Sequence, residues 1–170
     1  VFHELAHLVV YARDDTVFNE SFATAVERLG SARWLATASE TARADYARFD
    51  ERRQQFRALA RQTREALQAA YALPERAQRL AAKQVAMDGF RSGYEALKTQ
   101  WSGFAGFDAW AGQANNALFA AQAAYDELVP GFEALFEREG RDFARFYDAV
   151  RRLARLPKDE RRTALIAHRF

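Results

Sequence analysis

The chain has 170 residues, a length typical of one domain or of a compact part of a larger protein. Apolar residues make up 49% of it and charged residues 28%, with 8 glycines and 3 prolines, which excludes a disordered tail, a collagen-like repeat and a proline-rich linker. The absence of cysteine excludes disulfide scaffolds and thiol catalysis, so a metal site would have to use histidine and carboxylates.

The net charge of +2 combines 22 arginines and 3 lysines with 23 acidic residues that are interspersed among them. The densest basic stretches, 52–64 and 151–162, alternate with acidic, amide or apolar residues at helical spacing, which is typical of solvated helix faces. We therefore expect no nucleic-acid partner. No apolar run approaches the roughly 18 to 20 residues of a membrane-spanning helix, so no transmembrane segment is predicted.

Strong helix formers dominate the chain and period-2 alternation is not sustained anywhere, which predicts an all-α fold. A first helix is predicted over 1–12, and a turn over 13–16. A second helix is predicted to begin at Asn19 as its cap and to continue to Ala72, with a bend near Gly30.

Residues 41–101 have the pattern of a long antiparallel helical hairpin. Leu73 precedes Pro74, and this dipeptide predicts the end of one helix and the start of the next. Apolar residues recur at coiled-coil spacing on both arms, which indicates a packed seam rather than an aromatic ligand site. The seam positions are Tyr46, Phe49, Phe56, Ala60, Leu67 and Ala70 on one arm, and Leu80, Met87, Phe90, Tyr94, Leu97 and Trp101 on the other.

The last third of the chain is predicted to form shorter helices, separated by glycine and proline. After a loop over 102–107, these helices cover 108–128, 130–139, 142–156 and 157–168. We interpret residues 1–170 as a single helical domain with three successive parts. They are the helices of a metal site (1–40), the hairpin (41–101) and the C-terminal helices (102–170).

The N-terminal segment contains the H-E-x-x-H pattern as His3-Glu4-Leu5-Ala6-His7. Residues i and i+4 of a helix lie one above the other, so both imidazoles can reach one ion, with Glu4 beside it. Zn²⁺ prefers nitrogen and oxygen ligands in tetrahedral geometry, and a catalytic site leaves one position for water. The pattern therefore predicts a zinc site that needs a third protein ligand. The alternative is that these are ordinary polar residues of a helix.

The candidates for the third ligand are Asp14, Asp15, Glu20 and His168. Glu20 is preferred, because the thirteen residues that follow His7 leave room for a turn and for a second helix packed against the first. The two aspartates fit a turn or a helix cap better, and His168 lies next to the C-terminus.

Side chains on the same helix as Glu20 are candidates for supporting roles. Thr24 or Glu27 could accept a hydrogen bond from the outer nitrogen of a ligating imidazole, a contact that fixes the tautomer of the ring. Asn19 is a further candidate at the start of this helix, and the small side chain of Ala23 would permit close helix approach.

Two N-terminal segments carry a resemblance to a known family. The segments are Phe2-His3-Glu4-Leu5-Ala6-His7 and Asp15-Thr16-Val17-Phe18-Asn19-Glu20-Ser21-Phe22-Ala23-Thr24. They are similar to the bacterial "putative aminopeptidase" family, zinc peptidases of the glutamate-liganded zincin type. Matches at Asn115-Asn116-Ala117, Tyr125, Val129-Pro130 and Phe132 extend the resemblance over most of the chain. The metzincin pattern is excluded, because Val10 and Arg13 occupy the positions of its glycine and third histidine.

The resemblance implies a set of roles for these residues. His3, His7 and Glu20 become the ligands of Zn²⁺, and Glu4 becomes the base that removes a proton from the attacking water. The implied reaction is hydrolysis of a peptide substrate, with the aminopeptidase specificity coming from the family name.

Three further roles are candidates. Tyr125 is the candidate donor to the oxyanion, and a position in the core is its alternative. Asn115 and Asn116 are candidate substrate contacts, although paired asparagines also cap helices. Glu27 is the one nearby acid that could bind the free amine of an aminopeptidase substrate.

The resemblance also implies a location in the bacterial cell envelope or periplasm, with a lipid anchor carried by a part upstream of Val1. We expect the chain to begin partway through a longer protein, because a metal motif starts at its third residue. By itself the chain would then bind zinc weakly and hydrolyse peptides slowly or not at all. The competing interpretation is a non-catalytic helical module that packs against the rest of the protein or a partner.

Overall fold

The computed structural model describes residues 2–167, apart from the side chains of Ala123, Ala124 and Asp126. Over this range it contains nine helices and no strand, which confirms the all-α prediction. The helices are α1 (Phe2–Val9), α2 (Thr16–Leu35), α3 (Glu40–Tyr71), α4 (Arg76–Gln100), α5 (Asp108–Gly112), α6 (Asn116–Asp126), α7 (Val129–Arg138), α8 (Phe143–Ala154) and α9 (Lys158–Ala167). None of them is long and apolar enough to span a membrane.

The helices group into two compact units. The first unit contains the residues up to Ser39 and those from Ala123 onward, and the second contains residues 40–122. The C-terminal helices α7, α8 and α9 therefore belong with α1 and α2, although the hairpin separates them along the chain. The prediction of a single domain stays a prediction.

The start of α2 differs from the predicted boundary. Asp15 caps the helix, since its Oδ1 accepts a hydrogen bond from the backbone N of Phe18 at 3.2 Å, and α2 begins at Thr16. Asn19 lies inside the first turn. Its Oδ1 accepts a hydrogen bond from the backbone N of Ala12, and its Nδ2 donates one to the backbone O of Ala12, each at 2.8 Å. The predicted cap at Asn19 is wrong, and this side chain fixes the connection between α1 and α2.

The predicted continuous helix from Asn19 to Ala72 is interrupted at residues 36–39, whereas α2 continues without interruption through Gly30. The predicted bend near Gly30 stays a prediction. Gly30 lies within α2, where a Cβ would stand 3.2 Å from Cγ of Phe2. The glycine therefore permits the close approach of an aromatic ring. The predicted helix over 108–128 is likewise two helices, because Asn115 Oδ1 accepts hydrogen bonds from the first turn of α6.

The core of the first unit is aromatic. Phe22 and Phe132 are fully buried with ring centroids 5.6 Å apart, and Phe146 packs against Phe22 from α8. Arg161 of α9 pairs with the capping carboxylate of Asp15 at 2.8 Å, and both side chains are almost completely buried. This ion pair ties the last helix to the turn between the first two.

The second unit is built on the antiparallel pair α3 and α4. Nε1 of Trp101 donates a hydrogen bond to Oε1 of Gln55 at 2.6 Å, and Gly93 lies against Leu59. The inner part of the predicted seam is buried, including Phe56, Ala60, Leu67, Met87, Phe90 and Tyr94. Two predicted seam positions, Phe49 and Leu80, are exposed instead.

Candidate metal centre

Three side chains predicted as ligands lie together between α1 and α2. Nε2 of His3 is 3.2 Å from Oε2 of Glu20, and Nε2 of His7 is 3.9 Å from Oε1 of the same carboxylate. One candidate ligand atom from each of the three residues can be chosen so that all lie within 4.8 Å of one another. Each side chain is about four-fifths buried and is still reachable from solvent.

Helices α1 and α2 both contribute small side chains to the core of the first unit. Ala6 of α1 and Ala23 of α2 are completely buried in the same apolar cluster. His3 and His7 stand one helical turn apart, with ring centroids 5.1 Å from each other. The H-E-x-x-H spacing therefore directs both imidazoles toward one point on α2.

Each side chain of residues 19–23 has different surroundings. Asn19 holds the preceding turn, and Glu20 faces the two histidines. Ser21 Oγ accepts a hydrogen bond from the backbone N of Leu128 at 3.1 Å, which attaches α2 to the start of α7. Phe22 and Ala23 are completely buried in the core. The contacts of Asn19, Ser21 and Phe22 thus attach the start of α2, which carries Glu20, to its neighbours.

The donor set fits a zinc ion. Two imidazole nitrogens and one carboxylate oxygen are a well-known ligand set of catalytic zinc sites, which keep the fourth position for water or substrate. Both Nε2 atoms face the same carboxylate, so three ligands of the right type already converge. Nδ1 of His7 is buried without a hydrogen-bond partner among the described residues.

A second carboxylate lies behind the first histidine. Oε2 of Glu27 is 3.8 Å from Nδ1 of His3, the nitrogen on the side of the ring away from Glu20. This distance is longer than a hydrogen bond, so the predicted hydrogen bond from His3 to Glu27 stays a prediction. Thr24 Oγ1 is buried and makes no hydrogen bond within residues 2–167, so its predicted contact with an imidazole stays a prediction.

Tyr125 joins the same group from the end of α6. Its ring stacks on His3 with centroids 6.0 Å apart and an interplanar angle of 22°. Burial raises the pKa of the Tyr125 phenol, and the charge of Glu20, a hydrogen bond to Glu20 and the charge of Glu4 raise that pKa further. The tyrosine is only partly buried, so it lies at the edge of the site and not in the core.

A protein-family model described as "Putative aminopeptidase" matches residues 1–165. The chain belongs to this family. The family predicted from the N-terminal segments is thus confirmed, whereas its zincin type and bacterial origin stay predictions. Searches among curated proteins and among solved structures found no significant match.

The sequence also suggested other residues of this aminopeptidase-family chain as substrate contacts or alternative ligands. Asn115 and Asn116 belong to the second unit, where Asn115 caps α6 and Asn116 donates a hydrogen bond to the Tyr71 hydroxyl. Their predicted contact with substrate stays a prediction. Asp14 occupies a turn with φ of 59°, and His168 lies outside the described residues.

Two features of the unit that holds the predicted metal ligands had no local signal in the sequence. The sequence places Arg161 in a basic stretch that we predicted to be exposed, yet Arg161 is buried against Asp15. The two residues lie far apart in the sequence, so their spacing does not predict the pair. The second feature is a pocket that brings Phe2 together with Trp34 of α2 and Phe143 of α8. These residues come from three helices that lie far apart in the sequence, so their spacing does not predict the pocket.

Proposed function

We propose that this chain carries the catalytic centre of a zinc-dependent aminopeptidase. The observation that supports the proposal is the convergence of His3, His7 and Glu20, whose candidate ligand atoms lie within 4.8 Å of one another. The family match supplies the reaction class, hydrolysis of the bond after the first residue of a peptide. The residues around the three ligands fit the tasks that this reaction requires.

His3 and His7 would bind the ion through Nε2, and Glu20 through a carboxylate oxygen. When bound, Zn²⁺ lowers the pKa of a coordinated water and polarises the carbonyl of the scissile bond. The stacking of Tyr125 on His3, and the carboxylate of Glu27 near His3 Nδ1, hold that imidazole in one orientation.

Glu4 is the proposed general base. It follows His3 on α1, is exposed to solvent, and is close enough to Tyr125 for its charge to raise the pKa of the phenol. A carboxylate oxygen of Glu4 would accept a proton from the attacking water and then deliver it to the leaving amine. Because Glu4 and the two histidines share one helix, the position of the base is fixed relative to the ligands.

Tyr125 is the proposed donor to the oxygen of the tetrahedral intermediate. A phenol of ordinary pKa, about 10, is already protonated at neutral pH, as a hydrogen-bond donor must be, and burial raises the pKa of Tyr125 further. The hydroxyl lies close to Glu20, which places it beside the proposed ligands.

Zinc content and peptide hydrolysis test the proposal together. The chain should bind about one zinc, which His3→Ala and Glu20→Ala should abolish, whereas Asp14→Ala removes a nearby charge and should leave zinc in place. In the longer protein that the sequence leads us to expect, Glu4→Gln should keep zinc and lose hydrolysis of an aminoacyl anilide. Wild-type hydrolysis by zinc-loaded Glu4→Gln would show that Glu4 is not the base. A chain that binds no zinc but binds a protein partner would support the non-catalytic module instead.

A further inference from the structure

An aromatic pocket adjoins the metal ligands within the same unit. It has a volume of about 520 Å³, and rings from three helices wall it: Phe2 of α1, Trp34 of α2, and Phe143 and Tyr147 of α8. Ligand pockets have volumes of roughly 300 to 1,000 Å³ and are lined mainly by apolar and aromatic side chains with a few polar groups. This pocket has the size and the lining of a binding site.

The pocket lies near the proposed metal ligands on both helices. On α1 it includes the residue before His3, and on α2 it includes residues that follow Glu20 toward the C-terminal end of the helix. Phe2 directly precedes His3, and Gly30, against which the Phe2 ring packs, lies one turn beyond Glu27. A helix rises 1.5 Å per residue, so Gly30 is only about 4.5 Å further along α2 than Glu27. An extended peptide advances about 3.3 Å per residue, so a peptide bound at the ligands would reach the pocket within a few residues.

One positive charge lines the pocket. The guanidinium of Arg33 lies over the ring of Phe143, 5.8 Å from its centroid, and it forms no ion pair with a described carboxylate. Arg28, on the same helix, is paired with Glu133 at 3.5 Å. A guanidinium is well suited to bind a carboxylate, and Arg33 can offer its charge to a ligand without breaking an existing pair.

We infer that this pocket binds the C-terminal end of a short peptide. The aromatic walls receive a large apolar or aromatic side chain, and Arg33 pairs with the terminal α-carboxylate. The inference deepens the proposed function, on which it rests, because it names the substrate class as short peptides with a free C-terminus. A folded protein would rarely offer a terminal carboxylate so close to the bond that is cut.

Binding of two tripeptides to the metal-free chain tests the inference. In isothermal titration calorimetry with a chelator present, alanyl-alanyl-phenylalanine should bind about tenfold more tightly than its C-terminal amide. Arg33→Ala should remove the difference between acid and amide, while the control Arg28→Ala should keep it. Equal affinities of the wild-type chain for acid and amide, or no binding of the acid at several millimolar, would overturn the inference.

A second variant tests the aromatic walls. Trp34 is 48% exposed, so Trp34→Ala should leave the fold intact, which circular dichroism can verify. It should weaken binding of alanyl-alanyl-phenylalanine several-fold and leave alanyl-alanyl-alanine unaffected. Equal binding of the two peptides by the wild-type chain would contradict a role for the aromatic walls.

These measurements involve neither metal nor turnover, so their result is separate from that of the proposed function. A zinc peptidase that binds acid and amide equally would overturn only the inference about the pocket. A chain that binds the free acid through Arg33 but never binds zinc would overturn only the proposed function.

Discussion

His3 and Glu20, from different helices, face each other with Nε2 and Oε2 3.2 Å apart, and Nε2 of His7 lies within 3.9 Å of the same carboxylate. A ligand that binds only the folded state stabilises it, by about 2.7 kcal/mol at a concentration of one hundred times its Kd. We therefore expect Zn²⁺ to raise the thermal unfolding midpoint of the wild-type chain. Differential scanning fluorimetry of His3→Ala and Glu20→Ala should show no such shift, and Asp14→Ala should retain it. A zinc-dependent shift that persists in Glu20→Ala would contradict the assignment of the third ligand.

Glu27 can serve either of two tasks, and one variant distinguishes them. Its Oε2 lies 3.8 Å from Nδ1 of His3, which favours orientation of the imidazole, while its 33% exposure would also allow contact with a substrate amine. Loss of a carboxylate behind a ligating histidine typically weakens metal affinity by about 10 to 100-fold. We expect Glu27→Gln to weaken zinc binding to this extent, as measured by competition with a chromophoric chelator.

The competing role of Glu27 predicts a different result. If the carboxylate binds the substrate amine, Glu27→Gln would keep its zinc affinity and raise KM for peptides with a free amine. N-acetylated peptides would show no such change. Unchanged zinc affinity together with that selective rise in KM would assign Glu27 to substrate recognition instead of histidine orientation.

Tyr125 should contribute to the rate more than to metal binding. Removing a donor to an oxyanion typically lowers kcat by about 10² to 10³-fold, because the bond is strongest in the transition state. We expect Tyr125→Phe to lower kcat within this range and to change zinc affinity little, since the stacked ring is kept. Tyr11→Phe, at an exposed position of the α1 to α2 connection, serves as the control. An unchanged kcat in Tyr125→Phe would leave the tyrosine with a packing role.

The helical class and the convergence of His3, His7 and Glu20 could be predicted because both depend on short stretches of the sequence. The four-residue spacing of His3 and His7 requires only a helix, and Glu20 requires only a turn of suitable length. Helix boundaries were less accurate where two residues compete for one cap. Asp15 and Asn19 are both good caps, and the choice between them depends on Ala12 and Arg161, which the spacing does not reveal.

Contacts between distant parts of the chain could not be predicted in this way. Tyr125 was a candidate only through the family resemblance, and its stacking on His3 brings together residues that lie far apart in the sequence. The aromatic pocket likewise combines α1, α2 and α8. Such features follow from the packing of whole helices, for which a single sequence without an alignment contains no direct signal.

The buried pair of Asp15 and Arg161 should be the most sensitive ionic contact for stability. Arg161 also donates from Nε to the backbone O of Leu156 at 2.8 Å, and its side chain is only 10% exposed. Arg161→Ala would leave the Asp15 carboxylate buried without its counter-charge, which costs about 3 to 5 kcal/mol. The pair of Arg162 with Glu127 is half exposed, so Arg162→Ala should cost no more than about 1 kcal/mol. Urea denaturation gives both free energies of unfolding, and equal losses in the two variants would show that burial does not strengthen the Asp15 pair.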